Sequence, residues 1–185
     1  MIDNRTLSEI YDKHARELFV YIYGFVRSRE TAEDILHDAF VRLMRFSSNH
    51  PLDESNIRAF LYKIARNLCI DHVRKNRKKQ ESPLHDNIEY TGLRTVQEDL
   101  EYNDLRQRVA ELVDKKDPIS RSVFIMRTEL SLTYEEIAKN LGISERTAKR
   151  KMKSMLEYLA ESLEKYGYKF LLLILLALIA VKIVI

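Results

Sequence analysis

Between Thr6 and Val26 the apolar residues Leu7, Ile10, Tyr11, Ala15, Leu18, Phe19, Ile22, Phe25 and Val26 recur at steps of three and four. Because 3.6 residues complete a helical turn, that spacing gathers them on one face of a first helix. Thr31 followed by Asp34 predicts an N-cap, and Ile35, Ala39, Phe40, Leu43 and Phe46 continue the stripe along a second helix, about Ala32 to Phe46. Ser47 to Ser55 contains Asn49, Pro51 and Asp53 and has no apolar period, so it reads as an exposed loop. A third helix starts near Asn56 and buries Ile57, Phe60, Leu61, Ile64, Ala65, Leu68 and Val73.

The pattern dissolves from Gln80 to about Val96 into Ser, Pro, His, Asp, Asn, Thr and Gly, a composition expected of a flexible linker. Helical spacing returns with Leu100, Leu105, Val109, Leu112 and Val113, and breaks near Asp117-Pro118. It resumes in a shorter helix containing Val123, Phe124 and Met126. Thr133 and Glu136 then form a capping-box spacing ahead of Ile137, Ala138 and Leu141, Gly142 supplies a left-handed turn residue, and Ser144 caps the next helix. This is the grammar of a helix-turn-helix.

Four glycines and three prolines in 185 residues, against abundant helix formers, predict an all-α protein of two small helical domains. The expected divisions are 1–79, a linker at 80–97, 98–165, and a hydrophobic C-terminal helix at 166–185. A net charge of +3 is modest, so placement matters more than total. One cluster runs from Arg58 to Lys79, with Arg58, Lys63, Arg66, Arg74 and Lys75 against a single acid, Asp71, and with Phe60, Tyr62, Asn67 and His72 interleaved. Such a helix is either a solvated charged end or a surface for unstacked bases. The second cluster lies in the helix after Ser144, with Arg146, Thr147, Lys149, Arg150, Lys151 and Lys153 against Glu145. Those side chains can reach phosphates and base edges from the major groove.

Cys69 has no thiol companion for a disulfide or redox motif, and the polar start, Met1 to Glu9, does not read as a signal peptide; both fit a cytoplasmic location. His14, His37, His50 and His85 are scattered without ligand spacing. The absence of a Gly-rich phosphate loop, nucleophile elbow or metal cluster predicts neither enzyme activity nor a cofactor.

Three stretches together resemble the extracytoplasmic-function, or group 4, sigma factors of bacterial RNA polymerase: Thr31 to Phe46, Arg58 to Lys79, and Leu132 to Met152. The resemblance spans roughly Leu7 to Lys165 and implies a region 2-like domain, a region 4-like domain, and core RNA polymerase and promoter DNA as partners. It departs from the family at Val113 to Pro118, where a Leu-Pro pair is common. By resemblance, Glu33, Asp34, Asp38 and Arg42 would meet the polymerase, with Phe40 and Leu43 in the core. Arg58, Lys63, Arg66, Asn67, Asp71, His72 and Arg74 would serve the melting −10 element. Ser144, Glu145, Arg146, Thr147, Lys149, Arg150 and Lys153 would serve the −35 element, with Arg150 and Lys153 equally suited to clamp phosphates. An anti-sigma factor is a further implied partner.

Two other readings stay open on the residues alone. A stand-alone helix-turn-helix regulator explains the second basic cluster and leaves the first without a purpose; a membrane-tethered adaptor explains neither. The tail motivates tethering. Phe170 to Val181 is uninterrupted apolar sequence, and Tyr166 to Ile185 as a helix would reach about 30 Å, near the thickness of a bilayer core. Tyr166 and Tyr168 would sit at the interface, while Lys182 shortens the clean run, so spanning and lying on a surface both remain available.

Overall fold

The computed structural model describes residues 4–48, 54–79 and 96–165. These form seven α-helices: α1 Asn4–Val26, α2 Arg29–Ser47, α3 Ile57–Lys79, α4 Val96–Asp114, α5 Pro118–Thr128, α6 Tyr134–Leu141 and α7 Glu145–Lys165. A 3-10 turn at Glu54–Asn56 leads into α3. No strand occurs among the described residues, as the all-α reading expects. The 166–185 tail, with its expected hydrophobic helix, lies outside them, as does most of the expected linker.

The start of α2 differs from the expected one. Its N-cap is Ser28, whose hydroxyl accepts from the Thr31 backbone N–H at 3.3 Å, so Thr31 is a donor inside the first turn and not the cap. The cause is the preceding residue. Arg27 adopts a left-handed backbone with φ 54° and ends α1, leaving Ser28 extended in the conformation a cap requires. A left-handed non-glycine costs about 1–3 kcal/mol, and here the Arg27 guanidinium is held by the Ala110 carbonyl at 3.1 Å and by Asp114 at 3.3 Å.

α1, α2 and α3 pack on one another. Their buried faces supply Leu18, Tyr21, Ile22, Leu43, Leu61 and Ala65, and the same apolar cluster continues into Val123, Ile125, Met126, Ile137 and Met152 of α5 to α7. Phe40 and Leu43 belong to it, as expected, whereas Phe46 sits at its rim, 37% exposed and against the Phe60 ring. A second cluster joins Leu105, Leu112 and Val113 of α4 to Met155, Leu159 and Leu163 in the later turns of α7. That contact fixes the far half of α7, while Ala148 and Met152 seat one side of its first turns in the first cluster.

Asp117 caps α5 by accepting from Ser120, with Pro118 in the first turn, where its missing N–H costs nothing. Among the described residues no helix is long and apolar enough to cross a membrane, and no group of three or more His, Cys, Asp or Glu side chains gathers to hold a metal. His14 is buried and meets Glu17 at 3.2 Å.

Candidate nucleic-acid interface

α6, the turn and α7 form the helix-turn-helix, and local chemistry specifies each part. The Thr133 hydroxyl accepts from the Glu136 backbone N–H at 3.2 Å while the Glu136 carboxylate accepts from the Thr133 N–H at 2.8 Å, a complete capping box. Gly142 closes α6 in the left-handed region, φ 64°, and the Ile143 N–H reaches back to the Ala138 carbonyl at 3.1 Å. Ser144 then caps α7, accepting from the Thr147 N–H at 3.1 Å. Open space surrounds the position a Gly142 Cβ would occupy, so the Gly142→Ala penalty is purely conformational. It should cost about 1 kcal/mol of stability, read as a lowered thermal midpoint with unchanged helicity.

The outward face of α7 carries Glu145, Arg146, Lys149, Arg150 and Lys153, all exposed. Glu145 and Lys149 pair at 2.6 Å, and Lys153 lies 3.9 Å from Glu157. Arg146 and Arg150, one turn apart, have no ion pair among the described residues and are the available fork-shaped donors. Ser144 and Thr147 spend their hydroxyls on each other at 2.8 Å and on the cap. The Met152 side chain is buried beneath this face, and Lys151 turns aside to Asp117 at 3.0 Å.

Two residues absent from the sequence reading extend this surface. Tyr134, in the first turn of α6, has the Arg127 guanidinium 5.2 Å and the Lys149 ammonium 5.8 Å from its ring centroid. Arg127, Thr133, Tyr134, Lys149 and Lys153 line one groove beside the recognition helix. An aromatic at the start of the first helix of a helix-turn-helix was the only available signal; Arg127 lay in a different helix and gave none.

On α3 the structure separates the candidates. Lys63, Asn67, Asp71 and Arg74 share one side by helical spacing, and Arg74 pairs with Asp71 at 3.0 Å. Lys63, Asn67 and Arg74 are exposed, while Arg66 and Asp71 are half-buried. Half-buried His72 lies on the same side as buried Tyr62 and Cys69, near Asn76 at 2.8 Å, and burial followed by the Lys75 charge holds its imidazole below the ordinary range. Arg58 turns inward. Its guanidinium grips Glu17 of α1 at 2.9 and 3.0 Å and reaches Glu136 of α6 at 3.4 Å. On α2, Glu33, Asp34, Asp38 and Arg42 are all exposed, with Glu33 paired to Arg29 at 2.9 Å.

These bridges make stability depend on acid. Burial pushes the Glu17 carboxyl upward, but hydrogen bonds from His14 and Arg58 outweigh it and hold it below its ordinary value of 4.5. Glu136 is lowered first by the Thr133 backbone N–H, with Arg58 adding to it. A depressed folded-state pKa contributes stability that is present above the unfolded value and is lost as pH falls through the folded one. The thermal midpoint should therefore decline as pH drops below about 4.5, and Glu136→Gln should shrink that decline; an equal decline in the variant would remove Glu136 from the explanation.

The chain matches the family models for Sigma-70 region 2 over residues 10–79 and Sigma-70 region 4 over residues 106–154. These stretches correspond to α1 from Ile10 through α3, and to the latter part of α4 through the first half of α7. The chain is 30% identical over 149 residues to the RNA polymerase sigma factor YlaC of Bacillus subtilis, covering 75% of this chain and 81% of that relative. It is 25% identical over 140 residues to the ECF RNA polymerase sigma factor SigM of the same organism, covering 76% and 84%. Among solved structures, CnrH in complex with the cytosolic domain of CnrY is similar in fold, with a TM-score of 0.59 at 20% identity over 88% of this chain and 90% of that one. The sigma factor RpoE in complex with the anti-sigma factor NepR from Bartonella quintana aligns with a TM-score of 0.61 at 18% identity over 85% and 96%. Two sigma modules in order, each with its helices in place, make this chain a member of the extracytoplasmic-function sigma factors, which bind core RNA polymerase and direct it to promoters.

Proposed function

We propose that the first turns of α7 read the −35 duplex, that α3 meets the melting −10 strand, and that the exposed side of α2 docks on core polymerase. The observation that carries this is the recognition helix itself: capped by Ser144, set by the Gly142 turn, and presenting Arg146 and Arg150 outward with no ion pair among the described residues. Glu145 and Lys149 tune that face, while Arg127, Tyr134 and Lys153 extend it toward the phosphate backbone, where contacts position without specifying. Lys63, Asn67 and Arg74 are the α3 groups best placed for a strand, with Arg66, Asp71 and His72 at its margin. Glu33, Asp34, Asp38 and Arg42 supply the polymerase-facing polar contacts.

In this reading residues 1–79 and 98–165 are the two working modules, and the protein performs no chemistry of its own. It acts in the cytoplasm, where polymerase and promoter are. An anti-sigma factor that covers the α2 surface is the inhibitor the reading calls for. Fractionation of the full chain against one ending at Lys165 tests whether 166–185 adds membrane contact. Run-off transcription on a promoter library with purified core polymerase tests the whole reading. Specific initiation only in the presence of this chain is the expected result; duplex binding with no initiation would leave a stand-alone regulator instead.

A further inference from the structure

The groove beside α7 continues past the part that promoter reading uses. One end holds Tyr134, Lys149 and Lys153, while Leu156 and Ala160 line the other, with Glu157 beside them. Leu156 and Ala160 are partly exposed, and neither offers a donor to a phosphate or a base edge. From Glu145 to Ala160 the groove follows α7 for about 22 Å, at about 1.5 Å per residue. It runs toward Lys165, the last residue of that helix.

We propose that the apolar stretch Phe170 to Ile185 of this same chain folds back along α7 into that groove and competes with the −35 duplex for Lys149 and Lys153. The competition rests on the sigma-factor reading above; the contact itself does not.

Length is the first reason. The uninterrupted apolar run, Phe170 to Val181, is short for a membrane. A span takes about 20 residues, whereas a run of about 10–14 suits a helix buried against protein. Such a helix needs an apolar surface to cover, because removal of its side chains from water is what stabilises it.

Placement is the second reason. Tyr166, Gly167 and Tyr168 follow directly on α7, and glycine is the residue type that ends helices. Two antiparallel helices are joined by about 2–5 residues. With the turn centred on Gly167, Lys169 stands level with Lys165, Ile174 with Ala160, and Ile185 with Lys149. Phe170 to Ile185 is then about 24 Å long, the reach from Glu164 back to Lys149.

Charge agrees with that register. Tyr166 to Ile185 contains Lys169 and Lys182 and no acid. Lys169 comes to the acidic end of α7, at Glu161 and Glu164. Lys182 stands level with Met152, and helical side chains lean toward their own N-terminus, here toward Glu157. That carboxylate meets Lys153 only at 3.9 Å. Packed helices lie about 8–10 Å apart, so the seated stretch covers Lys149 and Lys153, and a DNA phosphate cannot reach them at the same time.

The test keeps the full chain. Ala160→Cys with Ile174→Cys is treated with a bismaleimide about as long as the spacing of packed helices, roughly 8–10 Å; the native Cys69 is buried and does not compete. Most of the protein should become an internally linked monomer, read by mass spectrometry of its peptides. Linkage only between chains would give the groove to a second copy and overturn the proposal. Unlinked chains, whether free or sedimenting with phosphatidylglycerol vesicles, would overturn it as well. Ala160→Gln, a wedge in the groove, reads the competition. Holoenzyme carrying it should bind labelled −35 duplex at least fivefold more tightly than holoenzyme with the unaltered chain, and equal affinity would overturn the competition. Failure of both chains to direct core polymerase would instead overturn the sigma-factor reading, leaving the cross-link to decide the contact alone.

Discussion

Alanine at both Arg146 and Arg150 is expected to erase the preference for the −35 sequence while leaving the fold intact. Both side chains are exposed and neither has an ion pair among the described residues, so their removal breaks no salt bridge there. A bidentate arginine contact to a base contributes about 1–3 kcal/mol of discrimination, so the pair together should cost about 2–6 kcal/mol, or roughly 30-fold to more than 10⁴-fold in specific affinity. Titration of labelled −35 duplex at several salt concentrations with the polymerase holoenzyme separates two roles. A residue that clamps phosphate weakens all sequences alike and lowers the salt slope by about one unit, whereas a base reader changes the preference. Retention of full specificity by the double variant would move −35 reading to Lys149, Lys153 and the Tyr134 groove. Unchanged circular dichroism and thermal midpoint are part of the expected result.

Tyr21→Ala should cost more stability than any surface change, about 3–5 kcal/mol, the range for removing a buried aromatic. Tyr21 is fully buried, its ring edge-on to Tyr62 at 5.0 Å and tilted against Phe25 at 5.2 Å. Burial pushes its phenol far above the ordinary range. Loss of the ring leaves a cavity where both modules meet, and Ser122 Oγ loses its partner on α1 while still donating to the Pro118 carbonyl at 2.8 Å. Tyr21→Phe isolates the hydroxyl and should cost only about 1 kcal/mol. Denaturant unfolding of both variants checks the pair. A Tyr21→Ala loss no larger than that of Tyr21→Phe would mean that the ring stacking contributes little and that the cavity collapses.

The two results probe different scales of information. The helix-turn-helix was legible because its instructions are short: Thr133 to Glu136, Gly142, and Ser144 to Thr147 each act within one helical turn, so spacing alone discloses them. The stripes in α1 to α3 were legible for the same reason, and the family resemblance then supplied order and roles that no single stripe contains. Local grammar failed at the start of α2. Thr31 with Asp34 reads as a start, yet Ser28 is the cap, because Arg27 takes a left-handed backbone beside Ala110 and Asp114, more than eighty positions away.

Arg58 marks the same boundary. As sequence it is one more cation on a basic helix; in the fold it faces Glu17 and Glu136, 41 and 78 positions distant, and not the exposed side that Lys63, Asn67 and Arg74 share. By itself the sequence determined the helices, the caps of the helix-turn-helix, the recognition helix and the family, since these depend on contacts within a turn or on ordered motifs. Only the tertiary structure decided which charged side chains face outward and which join the two modules, because that depends on where one helix lies against another, and spacing along a single helix carries no such information.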